Sequence, residues 1–271
     1  MPELPEVETL RRGITPQIQG QSFETIIVRE TRLRWPVPAE LNTLLVGQQI
    51  KQIQRRGKYL LFECTQGHLL IHLGMSGSLR LLSPDEPLKK HDHLDFIFTH
   101  SLCLRYHDPR RFGSILWTAE PITTHPLLAK LGIEPLSDDF NGHYLYQIAK
   151  NRQCKIKTFI MNNIIVVGVG NIYANEALFS AKIHPARSVA TIDLPEYQRL
   201  AVSIQATLTM AIAQGGTTLR DFADSEGQPG YFSQSLQVYG REGQACYQCG
   251  TPIQQQRLSQ RASYYCPICQ V

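Results

Sequence analysis

Four cysteines near the end of the chain have the spacing of a metal site. Cys246 and Cys249 are separated by two residues, as are Cys266 and Cys269, with sixteen residues between the two pairs. A two-residue gap lets both thiolates of a pair reach one tetrahedral ion, and zinc is the usual occupant of such four-thiolate sites. Disulfides are the alternative, but the acidic N-terminus has no apolar run typical of an export signal. The spacing therefore predicts one structural Zn²⁺ ion on a short hairpin, with no coordination position left for catalysis.

The N-terminus has a second chemical feature, Pro2 followed by Glu3. Once Met1 is removed, the chain starts with a secondary amine, and because α-amino groups have pKa values of about 7.7–8.0, a good fraction is neutral and nucleophilic at pH 7. Such an amine forms an iminium with a sugar or carbonyl carbon, and Glu3 beside it can exchange a proton. Proline also commonly opens a helix. On these residues alone, a catalytic and a purely structural Pro2 both remain open.

Two loops in the first half of the chain carry charged and aromatic residues. Asp108–Gly113 combines two arginines with Phe112, and an apolar wedge beside arginine suits insertion into a nucleic-acid duplex. The alternative is an ordinary connecting turn whose Phe112 returns to the core. His91, Asp92 and His93 form a second polar group, for which phosphate contact or a polar loop is favoured over metal binding because the cysteines already form a complete site.

Composition narrows the class of protein further. Of the 271 residues, 42% are hydrophobic and 18% charged, and the net charge of +4 is too small for a histone-like polycation. The 27 basic residues comprise 18 Arg and 9 Lys, and arginine binds phosphate bidentately. No apolar run approaches the about 18 residues of a membrane span. Together with the missing export signal, this predicts a cytoplasmic protein.

The hydrophobic pattern changes along the chain. Glu6 to Ile18 has helical spacing, and from Ser22 to about Trp117 short apolar runs with turn residues predict an antiparallel sandwich or barrel. The clearest strands are Phe23–Val28, Tyr59–Glu63, Leu69–Leu73, Leu79–Leu82, Leu94–Phe98 and Leu102–Tyr106. After Pro121 the pattern becomes helical. The predicted helices are Tyr144–Ala149, Ile156–Met161, Ile172–Phe179 and Pro195–Gln214.

These segments together resemble the formamidopyrimidine-DNA glycosylase family, bacterial enzymes that remove oxidised purines from DNA. The shared motifs follow the family's order along essentially the whole chain: Pro2–Thr9, Arg56–Leu60, His72–Gly77, Lys90–His93, Asp108–Gly113, Val167–Ala174, Gln214–Thr218 and the cysteine tail. The resemblance implies an α+β fold with a β-sandwich domain at 1–125, a helix–two-turn–helix domain at 126–235 and a four-cysteine zinc hairpin at 236–271. DNA is then expected to bind between the domains.

The resemblance also implies a bifunctional glycosylase and abasic-site lyase. Pro2 matches the nucleophile that attacks C1′ of the damaged nucleotide, and Glu3 matches the acid that protonates the opening sugar. Lys58 matches the lysine of β-elimination, and Arg261 the hairpin arginine of δ-elimination. The expected partner is double-stranded DNA containing an oxidised purine or an abasic site, bound by a monomer at the bacterial nucleoid.

Further residues match the family's DNA contacts. Three of them match side chains that fill the space left by a flipped base: Met75, Arg110 and Phe112. Phosphate-binding positions are matched by His91, Arg152 and Asn171. Residues that line the lesion are matched by Glu6, Lys157 and Tyr239, and the segment 217–231 matches the loop that covers the flipped base.

Two other functions fit parts of this sequence, and one position departs from the family pattern. Endonuclease VIII, which prefers oxidised pyrimidines, usually has glycine at the position of Leu4 and lacks the Asp108–Gly113 turn. A non-catalytic DNA-binding protein with the same hairpin would need neither Pro2 nor Lys58. The family usually has aspartate at the position of Asn162, and asparagine can still cap a helix or a turn there.

Overall fold

The computed structural model describes residues 2–217 and 232–271. These residues divide into two compact units. Unit 1 contains residues 2–129 together with 214–217 and 232–233, and unit 2 contains residues 130–213 and 234–271. The three-part division predicted from the sequence, with boundaries at 125 and 235, stays a prediction.

Unit 1 begins with helix α1, Leu4–Ile18. Val7, Leu10, Ile14 and Ile18 recur at helical spacing, and each is at most 1% exposed. The helix thus buries one apolar stripe, and it packs against strands β2, Ile50–Arg56, and β3, Tyr59–Cys64. The helix predicted from the same spacing is confirmed, and it starts two residues earlier.

Two four-stranded antiparallel sheets form the rest of unit 1. Their strands are β1 Phe23–Val28, β2 Ile50–Arg56, β3 Tyr59–Cys64, β4 Gly67–His72, β5 Ser78–Leu82, β6 Asp92–Phe98, β7 Leu102–His107 and β8 Ser114–Thr118, and a short helix, α2, covers Leu41–Leu45. The strand orders are β1-β6-β7-β5 and β2-β3-β4-β8. Side chains of both sheets, such as Phe62, Phe96 and Ile71, are buried in one apolar cluster. The antiparallel β domain predicted from the short apolar runs is confirmed.

Unit 2 is helical and ends in a hairpin. Its elements are α3 Gly142–Ala149, α4 Ile156–Ile160, α5 Asn171–Ser180, α6 Leu194–Ala213, β9 Gln254–Leu258 and β10 Arg261–Tyr265. Helix α6 buries Leu200, Ile204 and Leu208 at four-residue spacing, and it packs against α3 and α5. The four helices agree with the predicted ones to within two residues at each end. In the described residues, no helix has the length and apolar character needed to cross a membrane.

A buried ion-pair cluster links strands β6 and β7. Arg105 is 1% exposed and donates two hydrogen bonds to Asp95, at 2.7 Å and 3.0 Å. Its Nη1 also donates to the Glu86 carbonyl at 2.8 Å. Asp95 accepts a further bond from Arg29 at 2.6 Å. The cluster therefore satisfies charges that would be costly to leave unpaired inside the sheet.

We expect Arg105→Met to lower the free energy of unfolding by about 3–5 kcal/mol, because it leaves buried carboxylates without their main partner. Urea denaturation measures the loss. Arg32→Met is the matched control, since Arg32 pairs with Glu30 at 2.7 Å but is 78% exposed. Equal midpoints for the two variants would contradict the role given to Arg105.

Candidate active site

The start of α1 fixes the position of Pro2 and Glu3. Both residues are buried, and Glu3 is the extended N-cap residue of the helix. Its backbone N–H donates to Glu6 Oε2 at 2.8 Å, and Glu6 is the third helical residue, whose side chain accepts this bond in a capping box. The backbone between the predicted nucleophile and the helix is therefore held by a carboxylate of the first turn.

The other oxygen of Glu6 holds a segment far away in sequence. Glu6 Oε1 accepts a hydrogen bond from the Thr217 N–H at 2.7 Å. Gly216 has a φ of +81°, and a Cβ there would lie 2.9 Å from Glu6 Oε1, so this close approach requires glycine. Glu6, predicted to line the lesion, thus anchors the segment that leads to residue 218. Residues 218–231 of the predicted covering loop lie outside the described residues.

Lys58 lies in the tight connection between β2 and β3. The neighbouring Gly57 has a φ of +57°. The Gly57 carbonyl accepts a hydrogen bond from Arg55 Nη1 at 2.9 Å, and Arg55 Nε donates to Glu8 of α1 at 3.2 Å. Burial raises the pKa of Glu8, but hydrogen bonds from Arg11 and Arg12 outweigh it and bring the value to about 2. An ionised Glu8 therefore connects helix α1 to the turn that carries Lys58.

The three side chains predicted to fill the space of a flipped base lie on two adjoining loops of unit 1. Met75 is 38% exposed and Phe112 is 42% exposed, so Phe112 does not return to the core. The guanidinium carbon of Arg110 lies 4.9 Å from the centre of the Phe112 ring. A Cβ at Gly74 would lie 2.4 Å from the Gly113 nitrogen, which shows how closely the two loops approach. The structure therefore brings all three side chains together on one surface.

His72 belongs to the motif His72–Gly77, but the sequence predicts no role for it. It lies next to these loops. Its Nδ1 accepts a hydrogen bond from the Gly74 N–H at 3.0 Å, and its ring lies 4.7 Å from that of Tyr59. Burial lowers the pKa of His72 to about 4, and the positive charges of Lys58 and Arg34 act in the same direction. A neutral His72 thus orients the loop of Met75. The sequence feature that could have indicated this role is the position of His72 at the end of a strand, two residues before Gly74.

His91 lies at the start of strand β6 with a φ of +75°, and desolvation, followed by the charge of Lys90, lowers its pKa. Its neighbours are bound within the protein. Asp92 pairs with Arg80 at 2.7 Å and with His107 at 2.8 Å, and His93 Nε2 bonds the Asp108 carbonyl oxygen at 2.8 Å. These contacts place Asp92 and His93 in a polar loop and not in a metal site, and they leave the phosphate contact predicted for His91 as a prediction.

In unit 2, Lys157 and Asn171 both bind strand β10. The Lys157 ammonium group donates to the Ala262 carbonyl and to Ser263 Oγ, each at 2.7 Å, and Lys157 is 1% exposed. Asn171, the first residue of α5, donates to the same Ala262 carbonyl at 3.2 Å, and its buried Oδ1 has no hydrogen-bond partner within residues 2–217 and 232–271. The residues predicted to contact the lesion and a phosphate thus also hold the hairpin strand in place.

Tyr239 is positioned by a buried carboxylate that the sequence did not reveal. Glu176, on helix α5, is 4% exposed and accepts hydrogen bonds from the backbone N–H groups of Gln237, Val238 and Tyr239 at 2.7–3.0 Å. Burial raises the pKa of Glu176, and these N–H donors oppose the rise. The Tyr239 ring lies 5.1 Å from that of Tyr264 on β10. Glu176 therefore sets the backbone on which Tyr239 stands.

Arg261 is the first residue of β10 and is exposed. It follows a two-residue turn, Ser259 and Gln260, in which both residues have positive φ, at +46° and +68°. Hairpin turns of this kind match the twist of the flanking strands and fix their register. Arg152 is also exposed, and its Nε donates to the Ile148 carbonyl at 2.9 Å. The hairpin thus presents Arg261 at its tip.

The four cysteines form one cluster. All four sulfur atoms lie within 4.8 Å of one another, with Cys246 and Cys269 at 3.9 Å and Cys249 and Cys266 at 3.4 Å. A zinc ion with four Zn–S bonds of about 2.3 Å requires S···S distances of about 3.8 Å. Hydrogen bonds from Thr251 lower the pKa of Cys249 to about 6. The cluster can therefore hold a metal ion, and the donor set fits zinc.

Asn162, where the family usually has aspartate, keeps the capping function. Its Oδ1 accepts a hydrogen bond from the Ile164 N–H at 3.0 Å, and its carbonyl accepts bonds from Ile165 and Val166. An asparagine side chain closes such a turn as well as a carboxylate does. The departure from the family pattern leaves this turn intact.

An antiparallel β unit, a helical unit and a four-cysteine hairpin define a class of base-excision repair glycosylases. Family models described as the N-terminal domain and the H2TH domain of formamidopyrimidine-DNA glycosylase match residues 1–115 and 131–223. The chain is 57% identical over 270 residues to the formamidopyrimidine-DNA glycosylase of Nitrosococcus oceani, covering 100% of both chains. It belongs to the formamidopyrimidine-DNA glycosylase family and is a DNA repair enzyme.

Solved structures of a Lactococcus lactis relative, Fpg, give the same fold. In one, Fpg is bound to DNA containing N7-benzyl-Fapy-dG, and this chain matches it with a TM-score of 0.92. In another, it is bound to DNA containing an abasic site, with a TM-score of 0.91. In both cases the identity is 36%, and 99% of each chain is covered.

The pKa of His72 makes the stability of the protein depend on pH. An unfolded histidine gains a proton below pH 6.5, whereas folded His72 stays neutral down to a pKa of about 4. Acidification through this range therefore favours the unfolded chain, and at pH 4.5 it should cost about 2–3 kcal/mol relative to pH 7. In His72→Gln, which cannot titrate but can still accept from Gly74, we expect this part of the loss to disappear from urea denaturation curves. The same pH dependence in both proteins would contradict the assignment.

Proposed function

We propose that the protein removes oxidised purines, such as 8-oxoguanine and formamidopyrimidines, from double-stranded DNA and then cleaves the strand at the abasic site. The observation that carries this proposal is the placement of Pro2 and Glu3 at the start of α1, held by Glu6. It is supported by the relative's complexes with Fapy-dG and abasic DNA. Because its substrate is chromosomal DNA, we place the enzyme in the cytoplasm.

The proposed chemistry uses the amine of Pro2, freed by removal of Met1. A bond forms from the nitrogen to C1′ as the glycosidic bond breaks, and the damaged base leaves with the electron pair and takes up a proton. Glu3 then protonates the ring oxygen O4′ as the sugar opens. The amine loses its proton, and the nitrogen lone pair forms the C=N⁺ bond of an iminium. Since a secondary amine cannot form a neutral imine, the positive charge stays in place and acidifies C2′.

The strand is cleaved by two eliminations. Removal of the C2′ proton drives the 3′ phosphate out with the electrons of its C–O bond, and a second proton loss expels the 5′ phosphate. Lys58 assists the first step and Arg261 the second, and both cations stabilise the departing phosphates. The result is a one-nucleotide gap with phosphate at both ends.

Binding requires the damaged nucleotide to leave the helix. Flipping costs a few kcal/mol, and we assign Met75, Arg110 and Phe112 to the space left behind, with Arg110 also bonding the orphaned cytosine. Their exposure on two adjoining loops supports this assignment. His91, Arg152 and Asn171 bind phosphates, because each side chain carries an N–H group from which a phosphate oxygen can accept. Glu6, Lys157 and Tyr239 shape the pocket of the lesion.

We further propose that the cysteine cluster holds one structural Zn²⁺ ion. Cys246, Cys249, Cys266 and Cys269 would bind it, and the ion would stabilise the hairpin without taking part in the reaction, because four thiolates complete its coordination. Few apolar side chains support this hairpin. The position of Arg261 then depends on the metal.

Borohydride trapping on a duplex with 8-oxoguanine opposite cytosine tests the nucleophile. We expect the protein lacking Met1 to be captured as a covalent adduct, because reduction of the iminium makes the Pro2–C1′ bond permanent. The matched control inserts a glutamine between Met1 and Pro2, so that Met1 is retained and the secondary amine is lost while every side chain remains. We expect its trapping to fall at least about 100-fold. An adduct of equal yield in this control would remove Pro2 from the mechanism.

Metal analysis of the purified protein tests the zinc site. We expect one zinc per chain, and Cys266→Ser should lose most of it and bind DNA at least about 10-fold more weakly, since metal binding folds such hairpins. Cys154→Ser is the control, because Cys154 lies outside the cluster and should keep both properties. Full zinc content in Cys266→Ser would contradict the proposed ligand set.

A further inference from the structure

Three loops of unit 1 converge on one buried residue, Asp108, which is 0% exposed. The wedge loop, residues 73–77, carries Met75. The phosphate loop, residues 89–93, carries His91. The plug loop, residues 108–113, carries Arg110 and Phe112. Asp108 therefore lies at the meeting point of the three loops that carry Met75, His91, Arg110 and Phe112.

The carboxylate of Asp108 links the wedge loop to the plug loop. Its Oδ1 accepts a hydrogen bond from Ser76 Oγ at 2.6 Å, and Ser76 Oγ in turn accepts from the Arg110 N–H at 3.2 Å. Its Oδ2 accepts from the Gly113 N–H at 2.9 Å and from the Tyr106 hydroxyl at 3.0 Å. Of these three donors on one carboxylate, Gly113 closes the end of the plug loop onto Asp108, and Ser76 joins the wedge loop to Arg110.

The backbone of Asp108 holds the phosphate loop. Its N–H donates to the His91 carbonyl at 3.1 Å, and its carbonyl accepts from His93 Nε2 at 2.8 Å and from the Arg111 N–H at 3.2 Å. Arg111 has a φ of +56°, a conformation that a non-glycine residue adopts only when its surroundings impose it. The hydrogen bonds to Asp108 help to impose this conformation on Arg111.

The wedge and plug loops meet backbone to backbone. A Cβ at Gly74, in the wedge loop, would lie 2.4 Å from the Gly113 nitrogen and 2.5 Å from the Phe112 carbonyl oxygen of the plug loop. The two loops are therefore packed too closely to admit a side chain at this glycine. Hydrogen bonds to a carboxylate are in general about twice as strong as those between neutral groups.

We propose that Asp108 is a positioning residue that holds Met75, Arg110 and Phe112 in the arrangement needed to fill the duplex and to recognise the base opposite the lesion. This inference rests on the roles proposed above for those three residues. Asp108 touches neither the reacting sugar nor the base. It acts by setting the geometry of side chains that do touch the DNA, and a displacement of about 1 Å is enough to cost up to 100-fold in rate.

The test compares Asp108→Leu, which removes both carboxylate acceptors and leaves the backbone contacts in place, with Asp108→Asn and Ser76→Ala. The asparagine oxygen can still accept from Gly113 and Tyr106 while its amide donates to Ser76 Oγ, so this variant should restore function. Ser76→Ala breaks only the link to the wedge loop. Excision rates are measured on duplexes with 8-oxoguanine opposite cytosine and opposite adenine. Borohydride trapping on a single-stranded abasic oligonucleotide, which has no opposite base, measures the chemistry alone.

We expect Asp108→Leu to slow excision opposite cytosine about 10-fold to 100-fold and to bring the cytosine-to-adenine rate ratio close to one, with single-strand trapping within about twofold of wild type. Asp108→Asn should keep the ratio, and Ser76→Ala should lower it to an intermediate value. An unchanged ratio in Asp108→Leu overturns the proposal, as does an equal loss of single-strand trapping, which would mean a merely structural role. If Asp108→Leu does not fold, an unchanged ratio in Ser76→Ala overturns it instead.

A binding measurement separates this inference from the proposed chemistry. With 2-aminopurine opposite a tetrahydrofuran abasic analogue, wild-type protein should change the fluorescence of the probe as its side chains enter the duplex, and Asp108→Leu should lose most of this change. Absent trapping in wild type with an intact fluorescence difference would refute the Pro2 chemistry alone. Equal fluorescence for wild type and Asp108→Leu would refute the positioning role alone.

Discussion

Buried charged side chains that bind the backbone of a remote segment are the interaction on which the candidate site depends. Glu6 joins the first turn of α1 to Thr217, and Glu176 holds the three amide groups before and at Tyr239. Lys157 does the same for β10 with the opposite charge. In each case, an ionisable side chain on a helix fixes a loop or strand that carries a residue assigned to the DNA.

The energetics explain why such groups suit a site that must be placed accurately. Removing an ion from water costs several kcal/mol, which is offset only when good geometry and hydrogen bonds satisfy every lone pair or proton. A loop that moves away leaves the ion unpaired, so displaced arrangements are penalised more steeply than in an apolar contact, which tolerates sliding. Asp108, with three donors on its carboxylate, is the strongest example in unit 1. The net gain in stability is small, but the gain in positional accuracy is large.

The sequence predicts those features that depend on local spacing. The apolar repeat of α1, the short apolar runs of the strands and the two cysteine pairs are each readable within a few residues, and each agrees with the structure. Strand β8, with the short apolar run Ile115–Trp117, was not singled out, since so short a run has no clear period. The contacts of Glu6 and Glu176 join residues 211 and 61–63 positions apart. The spacing of residues within a motif cannot reveal such distant pairs. Glu6 was therefore assigned to the lesion site only through family resemblance, and Glu176 was missed.

The arginine excess divides into two populations that composition cannot separate. One population neutralises carboxylates inside the protein, as Arg11 and Arg55 do at Glu8 and Arg105 does at Asp95. The other, comprising Arg110, Arg152 and Arg261, is exposed and forms no ion pair with a carboxylate among the described residues. A net charge of +4 is therefore compatible with tight phosphate contacts at a few fixed points, because many of the arginines already have a carboxylate partner. On the roles proposed for Arg110, Arg152 and Arg261, DNA is bound at a few exposed cations of each unit and weakly elsewhere, as a search for rare damaged bases requires.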